Sequence, residues 1–466
     1  MNSGRIPSQD LSPDGGSGLY AKRRRIQIKD VKGHYQRLRD TSVRLVVALY
    51  LVLPWLTWNG RQAILFDLPE RRFHIFGVTF WPQDFLFLAW ALIIAALGLF
   101  FVTVFAGRVY CGYVCPQTAW TRLFMAIEQR CEGDRHQRLK WDRAPWGAEK
   151  LLRRGLKHVL WLALALATGV TFVGYFTPIR ELLPALVSGE VGGWTLFWSG
   201  FFTIATYGNA GFMREQVCLY MCPYARFQSV MFDRDTLVVS YDRARGEPRR
   251  RGARKSSGQE PAGDCVDCGL CVQVCPTGID IRDGLQYECI TCAACVDACD
   301  QVMARIGRPR GLIDYTTENT LNGRRSRVLR PRLIGYGLVM VLMMGWFAAG
   351  LVQRVPLQVD VLRDRNQLYR LTADGRIENS YRLEILNKDQ QAHDYRLSLD
   401  APEGLTLVQG NPTFTLAGGE HRSLPVTVSG DPYAGEVRSA TVRFRVRSSE
   451  PRSTMETTHE ARFIAP

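Results

Sequence analysis

Histidine is scarce in this 466-residue chain, and cysteine is confined to one stretch of it. The seven histidines include no Cys-x-x-Cys-His, so c-type haem has no support. No phosphate-binding glycine loop or dinucleotide fingerprint occurs, which leaves NAD and ATP sites equally unsupported. None of the thirteen cysteines precedes Cys111 or follows Cys299. They are too few and too clustered for a disulfide scaffold at this length, and their pattern points to thiolate ligands in a reducing compartment. Hydrophobic residues at 46% and charged residues at 22% exclude wholesale disorder. The mean hydropathy of −0.10 appears to exclude a membrane protein, but it averages over three unlike regions.

Five apolar stretches stand out. Phe85–Ala106, Val159–Phe176 and Leu333–Val352 carry no charge, and each is close to the ~20 residues that cross a bilayer as a helix. Leu45–Trp58, which holds Pro54, and the aromatic-rich Val191–Tyr207 are read as two further spans. The first apolar run sits behind a long polar leader with no small-residue cleavage site, so no cleaved signal peptide is expected. Segment 107–157 holds eleven basic residues, whereas 59–83 holds only Arg61, Arg71 and Arg72. Positive charge stays inside, which assigns the N-terminus, 107–157 and 208–332 to the cytoplasmic face. Residues 353–466 then lie outside. From Arg354 onward, fifteen Lys+Arg meet fifteen Asp+Glu, so the whole net charge of +15 belongs to residues 1–353.

Two cysteine constellations lie on that inner face. Cys265-x-x-Cys268-x-x-Cys271-x-x-x-Cys275-Pro276 is followed by Cys289-x-x-Cys292-x-x-Cys295-x-x-x-Cys299. Three closely spaced thiolates wrap three irons of a cubane and a distant fourth closes it; in two-cluster ferredoxins the fourth cysteine of each run serves the other cluster. This assigns Cys265, Cys268, Cys271 and Cys299 to one 4Fe–4S cluster, and Cys275, Cys289, Cys292 and Cys295 to a second. A pair of zinc sites is the competing reading. The second constellation is a repeat: Cys111-Gly-Tyr-Val-Cys115-Pro116 and Cys218-Leu-Tyr-Met-Cys222-Pro223. Spacing of i,i+4 puts each pair on one helical face, roughly 5–6 Å apart, and the following proline starts a new helix. Four such thiols suit a soft metal, Cu(I) or zinc, or iron–sulfur chemistry; the alternative is four inert boundary cysteines.

Other features are plainer. Cys131 reads as an ordinary thiol. His158 begins a span, but no second membrane histidine accompanies it to ligate a b-type haem. The basic cluster Arg249–Arg251, Arg254 and Lys255 reads as contact with anionic lipid rather than with nucleic acid. Residues 355–466 alternate with period two, as in Thr441–Arg447 and Tyr381–Ile385, which predicts a β-sandwich of about seven strands. His393, His421 and His459 read there as surface residues rather than copper ligands. The expected organisation is a multi-domain membrane protein: a basic leader (1–42), a bundle with four spans (43–232), a basic linker (233–260), a dicluster ferredoxin domain (261–302), a cytoplasmic linker (303–332), a fifth span (333–352) and an external all-β Ig-like sandwich (355–466).

Residues 261–302 resemble a bacterial dicluster ferredoxin. The order of parts as a whole resembles the cytochrome c oxidase accessory proteins known as CcoG, FixG or RdxA. That resemblance implies a multi-pass protein of the bacterial inner membrane that reduces Cu(II) to Cu(I) for assembly of cbb3-type oxidase. It also implies a cytosolic electron donor, and copper chaperones or oxidase assembly factors as partners. Carried over, the eight ferredoxin cysteines would be cluster ligands, and Cys111, Cys115, Cys218 and Cys222 the membrane redox or copper-binding thiols. The membrane and ferredoxin portions are also similar to quinol-linked polyferredoxins, so an electron relay to a periplasmic reductase stays open, as does a redox-sensing assembly scaffold.

Overall fold

A computed structural model describes residues 26–249, 263–364, 367–409, 412–431, 439–450 and 455–465. Of the basic cluster only Arg249 falls among them. Among the described residues three helices are long and apolar enough to cross a membrane: Pro82–Ala106, Ala148–Val173 and Pro331–Val352. Each can satisfy all its backbone polar groups internally, which hydrocarbon demands, and each exposes large apolar side chains such as Leu92, Leu162 and Val341. The two other stretches expected to span do not make helices of that length and apolarity. His34–Val52 begins eleven residues before the apolar run and stops ahead of Pro54, whose ring removes a helix donor. Gly193–Thr206 has 14 residues and continues as a π-helix over Tyr207–Met213.

The chain divides into two compact units. One contains residues 1–50, 99–170 and 197–335, and its centre is the cysteine-rich segment. Val238–Tyr241 pairs antiparallel with Ile313–Thr316, and Val239, Tyr241, Leu312 and Ile313 share an apolar core with Cys265 and Cys271. Both strands lie in stretches read from sequence as linkers, so the domain closes on elements from either side of the cysteine runs. The leader is also part of it. Val31 packs with Val274, Ile290 and Cys292, and Lys29 donates to the Gln273 carbonyl at 2.8 Å. The buried Asp297 carboxylate accepts from the Tyr35 and Gln36 amides at 3.2 and 2.7 Å. It thereby caps the His34–Val52 helix from another element, a role worth about 1 kcal/mol.

Several of the basic residues in segment 107–157 and beyond are buried in ion pairs. Glu128, fully buried, meets Arg214 at 2.9 Å and Arg138 at 3.2 Å, while Lys157 meets Glu132 at 2.6 Å. Removing one partner of such a network costs about 3–5 kcal/mol, because a charge is left buried and unpaired.

The second unit contains residues 51–98, 171–196 and 336–466. Its sandwich has one sheet ordered Leu405–Gln409, His421–Gly430, Ile377–Asn387, Leu357–Arg363, with Arg370–Leu371 added to Ile377–Asn387. The other is ordered Thr413–Leu416, His393–Asp400, Ser439–Ser448, Glu456–Ile464. These are nine strands among the described residues, all antiparallel. The alternation in Thr441–Arg447 resolves into buried Val442, Phe444 and Val446, which pack against Leu383, Ile385 and Tyr395. A three-stranded sheet of Ile64–Asp67, Arg72–Ile75 and Val78–Phe80 belongs to the same unit.

His393 is not the surface residue expected from the sequence. It is buried at 7% exposure, with Glu450 on Nδ1 and Asp389 on Nε2, each at 2.9 Å. Burial alone would lower its pKa, but the two carboxylates carry it above the ordinary value. A raised folded-state pKa gives stability that is present below the unfolded value and lost as pH rises through the folded one. Amide exchange over Tyr395–Leu399 should therefore be slower at pH 6 than at pH 8.5, after correction for intrinsic rates. His393→Gln should remove that difference, corresponding to about 1 kcal/mol once the exposure of both carboxylates is allowed for. An unchanged difference in the variant would show that the triad contributes nothing.

Candidate metal centre

The two ferredoxin runs fold alike because the same two backbone positions of each take left-handed conformations. Asp267 (φ 48°) and Gly269 (φ 64°) flank Cys268, and Thr291 (φ 52°) and Ala293 (φ 55°) flank Cys292. These turns curl the chain around its own thiols. For the non-glycine residues they cost of order 1–3 kcal/mol each and persist where the surroundings over-determine them. Short helices follow, Leu270–Gln273 with Cys271 and Ala294–Arg305 with Cys295 and Cys299.

Two cavities result. Cys265, Cys268, Cys271 and Cys299 line one, with Tyr241 and Met303 among the remaining walls. Cys275, Cys289, Cys292 and Cys295 line the other, with Pro276 and Ile281, and Cys271 borders it as well. The sequence-assigned sets are thus brought together with the fourth cysteines crossed between the runs. All thirteen cysteines are free thiols. Among the described residues no three His, Cys, Asp or Glu side chains converge tightly enough to hold a single ion; each thiol set rings a cavity instead.

The donor chemistry fits an iron–sulfur core. Burial pushes the thiol of Cys271 up to about 11 and those of Cys289 and Cys299 to about 12; it raises Cys275 and takes Cys295 well above its ordinary value. Thiols held so high become ligands by exchanging a proton for a cation, which ties cluster binding to folding and to proton release. Local donors then tune the sulfurs: the Thr291 amide lies 3.4 Å from Cys289 Sγ, and the Thr277 hydroxyl 3.3 Å from Cys275 Sγ.

The repeated Cys-x-x-x-Cys-Pro motifs depart from the expected single helical face. Cys111 lies in the one-turn helix Val109–Tyr113, whereas Cys115 is the N-cap of Pro116–Glu132. Cys218 lies in the π-helix Val217–Met221 and Cys222 caps Pro223–Met231. Each pair therefore straddles a helix break, because the proline cannot continue the preceding turn. The second cysteine of each pair sits at a helix N-terminus, where the dipole favours negative charge. The two pairs are mutual neighbours. Burial first, and then neighbouring Cys115 and Cys222, push Cys111 up to about 11; burial, Cys115, Cys111 and Cys222 push Cys218 to about 12. Cys111 Sγ donates to Gln228 Oε1 at 3.4 Å, and the buried Arg108 guanidinium lies within Coulombic range of Cys111, Cys218 and Cys289.

The two constellations also touch. A Cβ placed on Gly112 would come within 2.7 Å of the Ile290 carbonyl and 3.1 Å of Cys292 Cα. Only glycine allows this approach. Tyr113 donates to the Cys292 carbonyl at 3.3 Å, Tyr315 bonds the Thr291 carbonyl at 2.6 Å, and Cys111 packs on the core formed by Ile290 and Cys292. Arg108 also hydrogen-bonds the Tyr287 carbonyl. Cys218 shares a small cavity with Pro276, Thr277 and Ile290.

Sequence reasoning missed Arg108, Gly112, Tyr113 and Gln228. A signal existed in the difference between the repeats, where Leu219 stands at the position of Gly112. The remaining candidates lie elsewhere. Cys131 is buried at the end of Pro116–Glu132, and His158 Nδ1 lies 2.9 Å from the Tyr207 hydroxyl. His421 pairs with Glu384 at 3.1 Å and His459 lies 3.0 Å from the Glu460 carbonyl.

Residues 213–318 match the family model of a 4Fe-4S dicluster domain, and 88–130 that of a 4Fe-4S binding domain. Residues 347–466 match the IG-like fold at the C-terminal of FixG. Nitrogen fixation protein FixG of Rhizobium meliloti is 36% identical, over 96% of this chain and 94% of its own length. Protein RdxB of Cereibacter sphaeroides is 42% identical over 85% of this chain and 86% of its own, and protein RdxA of the same organism 41% over 83% and 84%. Agreement over nearly the full length of both partners, across the cysteine-rich unit and the sandwich alike, means that the chain belongs to the FixG/RdxA family of iron–sulfur electron-transfer proteins.

Proposed function

We propose that the protein is a membrane-bound cupric reductase serving assembly of cbb3-type oxidase. In this reading it lies in the bacterial inner membrane, with the ferredoxin unit cytoplasmic and residues 353–466 periplasmic. The observation that carries the proposal is the close backbone contact between Gly112, beside Cys111, and the Ile290–Cys292 loop. Cys265, Cys268, Cys271 and Cys299 hold one 4Fe–4S cluster and Cys275, Cys289, Cys292 and Cys295 the second; when bound, these groups supply one-electron transfer at low potential. Cys111, Cys115, Cys218 and Cys222 receive Cu(II) as substrate. The one electron that takes Cu(II) to Cu(I), the ion that soft thiolates favour, would come from the cluster on the Cys289–Cys295 side, reduced by a cytosolic electron donor. The thiols give up protons when copper binds and recover them when Cu(I) leaves. Arg108 holds its positive charge beside both sets, and Gly112 and Tyr113 keep them adjacent.

A specific observation favours one other reading. Because residues 88–130 match a 4Fe-4S binding domain, the four boundary thiols would hold a third cluster and the protein would relay electrons without copper chemistry. Iron analysis separates the two, at about eight irons per chain for two clusters and about twelve for three.

Two outcomes test the proposal. Cys111→Ser and Cys218→Ser should each abolish cupric reduction by cluster-loaded protein while iron content and the reduced-cluster EPR signals are retained; loss of those signals would refute this division of labour. Gly112→Val should force the Ile290–Cys292 loop away and slow copper reduction by roughly tenfold to a hundredfold, with the clusters intact. Wild-type rates in that variant would show that electrons take another route.

A further inference from the structure

Within the second unit, apart from the thiols, the three-stranded sheet and the sandwich enclose a cavity of about 420 Å3. Its walls include Arg61, Arg72, His74 and Trp81 from the sheet side, and Lys388 and Gln391 from the sandwich side. The two sides are joined firmly. Gln390 Nε2 donates to the Gly77 carbonyl at 2.5 Å, Asn59 donates to Gln390 at 3.2 Å, and Lys388 reaches Asp84 at 3.1 Å. Arg354 also pairs with Asp84.

Three hydrogen-bond donors on this wall are buried without a partner: Arg61 Nε, Arg72 Nε and Trp81 Nε1. Trp81 as a whole is only 8% exposed. Orphaned buried donors cost about 1–3 kcal/mol each, and these three belong to side chains that line one cavity. The charges are equally one-sided. Lys388 is held by Asp84, and Asp389 by His393. Among the described residues the carboxylate paired with Arg72 is the exposed Glu70, at a loose 3.8 Å, and Arg61 has no carboxylate partner. Arg61 bonds His74 and Thr79 instead, at 2.7 and 3.2 Å. Burial and the two guanidinium groups push His74 down to about 4, so it stays neutral and can accept from Arg61. Arg72 is steadied by stacking over Trp81, 5.1 Å to the ring centroid.

We infer that this cavity binds a phosphate-bearing anion. Two arginines without a close carboxylate partner line it beside an indole, and guanidinium groups match an oxyanion in both charge and hydrogen-bond geometry. The volume exceeds that of a bare oxyanion and leaves room for an organic remainder beside the Gln390 and Gln391 amides. Phosphate on a small metabolite and phosphate in a lipid headgroup present the same chemistry. The inference does not depend on the electron-transfer reading.

Full-length, cluster-loaded protein in detergent should be titrated calorimetrically with inorganic phosphate, glycerol 3-phosphate and malonate, and examined by native mass spectrometry after incubation with phosphatidylglycerol vesicles. At least one phosphate-bearing probe should bind, and Arg72→Gln and Trp81→Phe should each weaken it by about tenfold or more, with iron content unchanged. Trp81→Phe keeps an aromatic face beside Arg72 while removing the indole N–H, so it carries the test if Arg72→Gln does not accumulate. Retained lipid that is lost in the variants identifies a headgroup as the source, and binding of the soluble probes alone identifies a free phosphate ester. Binding of malonate without any phosphate probe, no binding at all, or equal affinity in the variants would overturn the inference.

Discussion

The cysteine-rich unit depends on one constraint: thiols occupy positions where a small domain would otherwise have its apolar core. Cys265 and Cys271 are members of one buried cluster and Cys292 of another. Left-handed turns at Thr291 and Ala293 hold those thiols inward at a conformational cost. A chain this short between Cys265 and Cys299 buries little carbon on its own. The free energy of metal ligation substitutes for the missing apolar contacts, and the rest of the unit is arranged around that substitution. The Val31 strap, the Asp297 cap and the Val238–Ile313 strand pair all close the domain from outside the cysteine runs.

The same constraint explains why two similar motifs have different surroundings. Tyr113 is buried and bonded to the Cys292 carbonyl, whereas its counterpart Tyr220 is 69% exposed. Gly112 permits contact with the Ile290–Cys292 loop; Leu219, at the matching position, carries a side chain that could not enter it. One copy is therefore shaped for proximity to the ferredoxin loops, and the other presents its tyrosine at the surface. A repeat that is symmetric in its sulfur atoms is asymmetric in what each half touches.

Much of this was legible in the sequence because periodicity and spacing report local geometry. Uncharged runs gave the long apolar helices, strict alternation at Thr441–Arg447 gave a strand with its valines inward, and the ferredoxin spacing grouped the cysteines that line each cavity. What escaped were long-range contacts. Nothing local in Val238–Tyr241 states that it pairs with Ile313–Thr316, some 75 residues on. Nothing near His393 announces Glu450, which approaches through the fold. Spacing of i,i+4 puts Cys111 and Cys115 on one face only in a continuous helix; Pro116 starts a new helix, and the break begins at Cys115 itself, which becomes a cap.

Charge plays two different parts in the cysteine-rich unit. The basic excess of residues 1–353 served as a topological label, yet Arg138, Lys157 and Arg214 are buried against Glu128 and Glu132 and act as structure. Arg108 differs from them. Its buried guanidinium is hydrogen-bonded to the carbonyls of Tyr287 and Ala225, and the ionisable groups around it are the thiols of Cys111, Cys218 and Cys289 and the Glu288 carboxylate. In a poorly solvated setting a fixed positive charge stabilises negative charge on either side of it. The one guanidinium therefore stabilises negative charge on the Cys289 side and on the Cys111–Cys218 side alike, and ties the two thiol sets together electrostatically.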